Sequence, residues 1–211
     1  MPIAVNSRRR SGAVTVMPAA TALANARHWM AALAVLIGVF AGAPAVRAEA
    51  PATYMQRVAN ELVTAARTNS PLAFAAVIRR HADIPHIGMS SLGSYARVLA
   101  ATDRPSYFSG LISFIARYAA TNSPKYPVAS AVAMAQTTED SNGVYVDSRI
   151  TLRSGENYDV RWWLVRSGAS FKVRDAQVVG FWMSPFLKNL FENYIGENGG
   201  NPKALVVALN R

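Results

Sequence analysis

Three turn signals, Asn142-Gly143, Ser154-Gly155 and Ser167-Gly168, divide residues 129–180 into short segments, and no other stretch constrains the fold as strongly. Asn-Gly is a strong hairpin signal, because both residues tolerate the positive φ that a two-residue turn requires. Between the turns, apolar and polar residues alternate with the period of a half-buried strand. Val132 and Met134 alternate with small or polar residues. Val144, Val146, Ile150 and Leu152 share one face, with Tyr145, Asp147, Arg149 and Thr151 on the other. Tyr158, Val160, Trp162 and Leu164 point one way, and Asp159, Arg161 and Trp163 the other. Phe171, Val173 and the run to Val179 make a further strand. Four strands at this spacing predict an antiparallel meander with a single apolar face, which something else must cover.

Helices on either side supply the cover. Met55, Val58, Ala59, Leu62, Val63 and Ala66 recur at helical spacing, predicting an amphipathic helix over 53–67. Ser70-Pro71 starts a second helix and Ile84-Pro85 a short third. A longer helix follows Thr102 to Pro105, with Phe108, Leu111, Ile112, Ile115 and Ala119 apolar and Tyr107, Phe114 and Tyr118 alongside. Ser184-Pro185 is read as the cap of a helix ending at Gly196, and Asn201-Pro202 as the cap of the last one. The order predicts an α+β fold: N-terminal helices, a four-stranded antiparallel twisted sheet, then C-terminal helices.

Upstream, Met30 to Phe40 is an unbroken small and apolar run, and the segment closes on Val46-Arg47-Ala48. A positive flank, a short apolar core and a small-x-Ala exit are the parts of a secretory signal peptide, and the core falls short of the roughly 20 residues of a membrane span. Residues 1–48 are therefore expected to direct export and to be cleaved near Ala48, with Met17 an alternative start. A single periplasmic domain over 49–211 is expected to remain.

This division changes the charge argument. The chain has 22 basic and 12 acidic residues, but five arginines belong to the leader, so the remainder is +5 rather than +10. That balance fits transient contact with an anionic membrane surface or an acidic partner, and no basic run interleaved with aromatics argues for nucleic acid. The chain has no cysteine, which removes thiol catalysis and thiolate metal sites; the remaining 163 residues are enough for a core without disulfides. Only His81 and His86 lie outside the leader, at a spacing unsuited to a helical metal pair, and both are expected to be partly exposed structural residues. No nucleophile elbow or phosphate-binding loop occurs, so neither an enzyme nor a cofactor is expected. Asp175 reads as a structural hydrogen-bond partner. The surplus is of large apolar residues, enough to line a cavity between sheet and helices.

Several segments, taken in order, carry a family resemblance. Leu92-Gly93-Ser94-Tyr95 is similar to an L-G-x-Y segment, Ser106-Tyr107-Phe108 to Tyr118 to the helix after it, and Tyr158-Asp159-Val160-Arg161-Trp162 to a strand before a hairpin. Phe171-Lys172-Val173-Arg174-Asp175 resembles a W-K-V-x-D strand, Val179-Gly180-Phe181-Trp182 a G-V-W turn, and Phe191 to Leu209 the closing helices. Together they resemble the MlaC, or toluene-tolerance auxiliary, family. The resemblance implies a periplasmic phospholipid carrier passing lipid between an outer-membrane lipoprotein complex and an inner-membrane ABC transporter complex. A branch of that family is associated with hopanoids, so a hopanoid is an alternative cargo, and a ligand-free periplasmic interaction module of similar α+β fold is the other alternative. In such a carrier the inward face of Val144, Val146, Val160 and Trp162 is expected to look across at Phe108, Leu111 and Ile115. Trp182 and Phe186 would stand near one rim, and Tyr95 would join the lining. Arg161 and Arg174 are the candidates for head-group or partner docking.

Overall fold

Proline marks the helix starts. The computed structural model describes residues 48–211, so the expected leader, apart from Ala48, lies outside the described residues. Proline occupies the first or second position of helices α1 (Pro51–Thr68), α2 (Pro71–His81), α3 (Ile84–Ser91), α4 (Arg104–Asn122) and α6 (Pro202–Leu209). Its fixed φ suits the first turn and its missing N–H costs nothing there. Ser70, Asp83 and Asn201 cap α2, α3 and α6 by accepting from the backbone N–H of Ala73, His86 and Lys203. Helix α5 (Met183–Glu197) has no such start: its N-cap is Trp182, without a side-chain bond, rather than Ser184. The carboxylate of Asp175 accepts from Ser184 N instead, at 3.2 Å.

Strands β1 (Val128–Asp140), β2 (Gly143–Leu152), β3 (Asn157–Ser167), β4 (Ser170–Val178) and β5 (Phe181–Trp182) pair antiparallel in sequence order. The sheet therefore has five strands, one more than the four expected. Val179 and Gly180, with φ of 50° and 83°, fold Phe181–Trp182 back onto Val178–Gln177, and two residues are too few for alternation to show. The first hairpin is tight at Gly143, where a Cβ would lie 2.3 Å from the Leu164 carbonyl oxygen.

One strand runs in the opposite phase to the expectation. Val132 and Met134 do not face inward. Ala133 pairs with buried Ser148, while Val132 pairs with Arg149 on the outer face and is 53% exposed. Helix α1 lies close over the inner side of β1: the Gln56 amide donates to Ala131 O at 2.9 Å and accepts from Ala133 N at 2.8 Å. Only small side chains fit under so near an approach, so the inner positions are alanines.

The core has three parts. Tyr54, Met55 and Val58 of α1 pack on Val144, Val146, Leu164 and Phe171 of the sheet. Phe74 and Val77 of α2 join Ile84, Ile112 and Ala116 of α3 and α4. Leu92, Tyr107, Leu111, Phe191, Ile195 and Leu209 form a helical core at the other end.

Candidate functional site

A cavity of about 280 Å³ lies where these three packing regions meet, with a lining that is almost wholly apolar. Helix α1 gives Val58 and Leu62, α2 gives Val77, Ile78 and His81, and α3 gives Ile84 and Ile87. Phe114, Ile115 and Tyr118 enter from α4, Trp162 from β3, and Val173 to Ala176 from β4. Helix α5 closes the remaining side with Met183, Ser184, Phe186, Leu187 and Leu190. Phe186 and Leu190, one helical turn apart, are 52% and 40% exposed, so apolar surface continues out of the cavity to the protein surface. Two wider depressions, one between α1 and α2 and one on the outer sheet face, carry ion-paired side chains such as Arg57, Glu61 and Arg161.

The polar lining groups gather at two places. His81 is 4% exposed, not partly exposed as its sequence position implied. Its Nε2 lies 3.0 Å from a Glu61 carboxylate oxygen and its Nδ1 3.2 Å from Tyr54 Oη. A carboxylate only accepts, so Nε2–H donates to Glu61. Burial holds the imidazole below its ordinary pKa, with the Glu61 hydrogen bond opposing, and burial pushes the Tyr54 phenol up to about 12. Glu61 also pairs with Arg80 at 2.5 Å. Tyr54 and Glu61 come from α1, a different helix from that of His81, and the sequence held no local sign of them.

The second polar group lies at the β4 end. Trp163 pairs with Asp175 and Leu164 with Val173, which leaves Arg174 in a bulge. A bulge sets two residues opposite one, so Arg174 and Asp175 both stand opposite Trp163, and both border the cavity. Arg174 donates from Nε and Nη2 to Asp83 at 3.1 and 2.9 Å, and its guanidinium carbon lies 5.5 Å from the Trp163 ring centre. Nearby, burial first and then Arg174 hold the His86 imidazole below its ordinary pKa.

Of the residues singled out from the sequence, Ile115, Trp162, Phe186 and Arg174 come together in this lining. Val144 and Val146 are sealed beneath α1 with Trp162 packed alongside, and Leu111 belongs to the helical core, with Tyr95 and Phe108 packed against it. Phe108 also faces Gly88, where a Cβ would meet its ring at 2.8 Å. Val160 is buried outside the cavity lining. Trp182 stands beside Tyr145, an outer-face residue, at 6.4 Å between ring centres. Arg161 is on that outer face too, bonded to Asp147 at 2.7 Å, and this bond holds the Asp147 carboxyl below the usual range.

The sequence model of the MlaC protein family matches residues 55–211. No curated protein matches the chain. Among solved structures, the phospholipid-binding protein from Ralstonia solanacearum, determined in complex with a phospholipid, aligns with a TM-score of 0.61 at 17% identity. The alignment covers 77% of this chain and 96% of that one, and at this identity it shows a shared fold.

Proposed function

The chain belongs to the MlaC family, and from that premise we propose that it is a periplasmic phospholipid carrier. The leader directs export and is removed near Ala48. The domain then collects lipid at one membrane and delivers it at the other, exchanging with an outer-membrane lipoprotein complex and an inner-membrane ABC transporter complex. The observation that carries this reading is the apolar cavity between sheet and helices, with its lining continued outward by Phe186 and Leu190.

The physics of such a carrier needs no reacting group. Burial of acyl chain gives about 0.8 kcal/mol per CH₂. At about 280 Å³ the cavity is near the lower end of ligand pockets, about 300–1,000 Å³, so it takes the inner part of the chains while the exposed rim shields the part near the head group. Release then requires a partner that opens the cavity or competes for the lipid. In this reading Arg174, which borders the cavity, meets the head group. In this reading Arg161, bonded to Asp147 on the outer face, takes part in partner docking.

Blocking the cavity tests the reading. Ala176→Phe adds a ring to the lining at a position where void space can take it. The variant is expected to fold with a urea midpoint near that of the parent and to copurify with less than about a tenth of its lipid, a change of about 1.4 kcal/mol or more in binding. Full lipid content in the folded variant, read by mass spectrometry of the extract, overturns the proposal.

A further inference from the structure

Helices α4 and α5 border the cavity with matching stripes. Phe114 and Tyr118 lie one turn apart on α4, Phe186 and Leu190 one turn apart on α5, and all four belong to the same lining. The two helices touch at Phe114 and Phe191, whose ring centres are 5.7 Å apart. Tyr118 is 60% exposed, and Phe186 and Leu190 are open to solvent as well, so apolar surface leaves the cavity on both helices. The segments that carry it, 104–122 and 183–191, hold Arg104, Arg117 and Lys188 and no carboxylate. Asp175, the one carboxylate in the lining, already accepts from Ala176 N at 2.8 Å and Ser184 N at 3.2 Å. Nothing on these two stripes repels a phosphate.

Building on the lipid-carrier reading, we infer that this rim docks directly on a phospholipid bilayer. Tyr118, Phe186 and Leu190 enter the head-group layer and set the mouth against it, so a chain leaving the bilayer stays on apolar surface all the way into the cavity. The size of the patch favours a bilayer over a second copy of the chain. At their exposures the three side chains offer about 300 Å², against about 800 Å² per partner in a stable protein interface. A fluid bilayer needs no such area and no matching shape. Tyr118 suits it further, since a ring with an apolar body and a polar tip settles at the membrane–water boundary.

The chain has no cysteine, so a single introduced one carries the only label. Protein purified after expression of the full chain, with its copurified lipid retained so that the cavity is already filled, is labelled at Leu190→Cys with a polarity-sensitive dye. Arg149→Cys, on the outer sheet face, is the control. Adding vesicles of phosphatidylethanolamine and phosphatidylglycerol is expected to brighten the label at 190 and to leave the label at 149 unchanged. In vesicle flotation, the Phe186→Ser, Leu190→Ser double variant is expected to bind about tenfold more weakly than the parent, a loss of about 1.4 kcal/mol. If that variant does not fold, the labels decide. Labels that respond alike at both positions, no response at 190, or undiminished flotation of the folded variant overturns the inference. So does a label at 190 that brightens with protein concentration alone, which would mean that a second copy covers the rim. A protein that copurifies with no lipid overturns the carrier reading instead, whatever its vesicle binding.

Discussion

The inner face of the sheet is closed at one end and open at the other, though both ends carry the same alternation. Under α1, Val144, Val146 and Leu164 meet Tyr54, Met55 and Val58, and all six are fully buried. Under α5, Trp162, Val173 and Ala176 face a void. The difference lies in the covering helices. Helix α1 sends a continuous row of large side chains at the sheet. Helix α5, its start tied down by Asp175, borders the cavity with Phe186 and Leu190 without sealing it, since both stay largely exposed. An apolar sheet face therefore specifies that something must cover it, and the covering helix decides whether the result is core or site.

Truncation on both sides of this boundary gives the largest contrast. Leu164→Ala, in the sealed part, is expected to lose about 2–5 kcal/mol of stability in urea unfolding, since it leaves a hole in close packing. Leu187→Ala, at the existing void, is expected to lose less than about 1.5 kcal/mol, because fewer contacts are removed, while weakening lipid retention. Equal losses of stability would mean that the cavity wall is packed as tightly as the core.

Acid sharpens the comparison at the floor of the cavity. The folded-state pKa of His81 is depressed, so its contribution to stability is present above the unfolded value near 6.5 and is lost as pH falls through the folded one. Unfolding midpoints are expected to drop between pH 7.5 and 5, and His81→Gln to flatten that part of the profile. The ring can charge without losing a bond: Nδ1–H would donate to Tyr54 Oη, and Oη–H to the His81 carbonyl, 3.4 Å away. The decline is therefore expected to be gradual. A profile as steep in the variant as in the parent would assign the acid sensitivity elsewhere.

The outer sheet face gives the smallest effect. Arg161 and Asp147 are each nearly half exposed, so Arg161→Gln is expected to cost about 0.2–1 kcal/mol and to leave lipid content unchanged. A drop in bound lipid would connect the outer face to the cavity.

Much of this architecture could be read from the sequence. Turn residues and alternation located β2, β3 and β4 and chose their inner faces, because side-chain period and burial coincide there. In β1 the reading failed. Its inner residues are alanines under a closely approaching helix, and the larger Val132 and Met134 face outward. Strand β5 was too short to leave a pattern. Of the residues bordering the cavity, Ile115, Trp162, Phe186 and Arg174 were legible as apolar or basic residues on their elements. His81 was not, since its burial depends on Tyr54 and Glu61 from α1. The bulge at Arg174 was not legible either, because it is a property of two strands in register and one strand alone carries no sign of it.

The Gln56 amide has a consequence beyond packing. Strand β1 lies at the edge of the sheet, and an open edge offers backbone donors and acceptors to any extended chain that comes near. By taking Ala131 O and Ala133 N, the side chain acts as a one-residue false strand and ends the ladder there. A protein with an exposed apolar mouth already risks adhering to other copies of itself. Gln56 guards against a second route, templated growth from the sheet edge, so that self-association through the backbone is discouraged even while the cavity is empty.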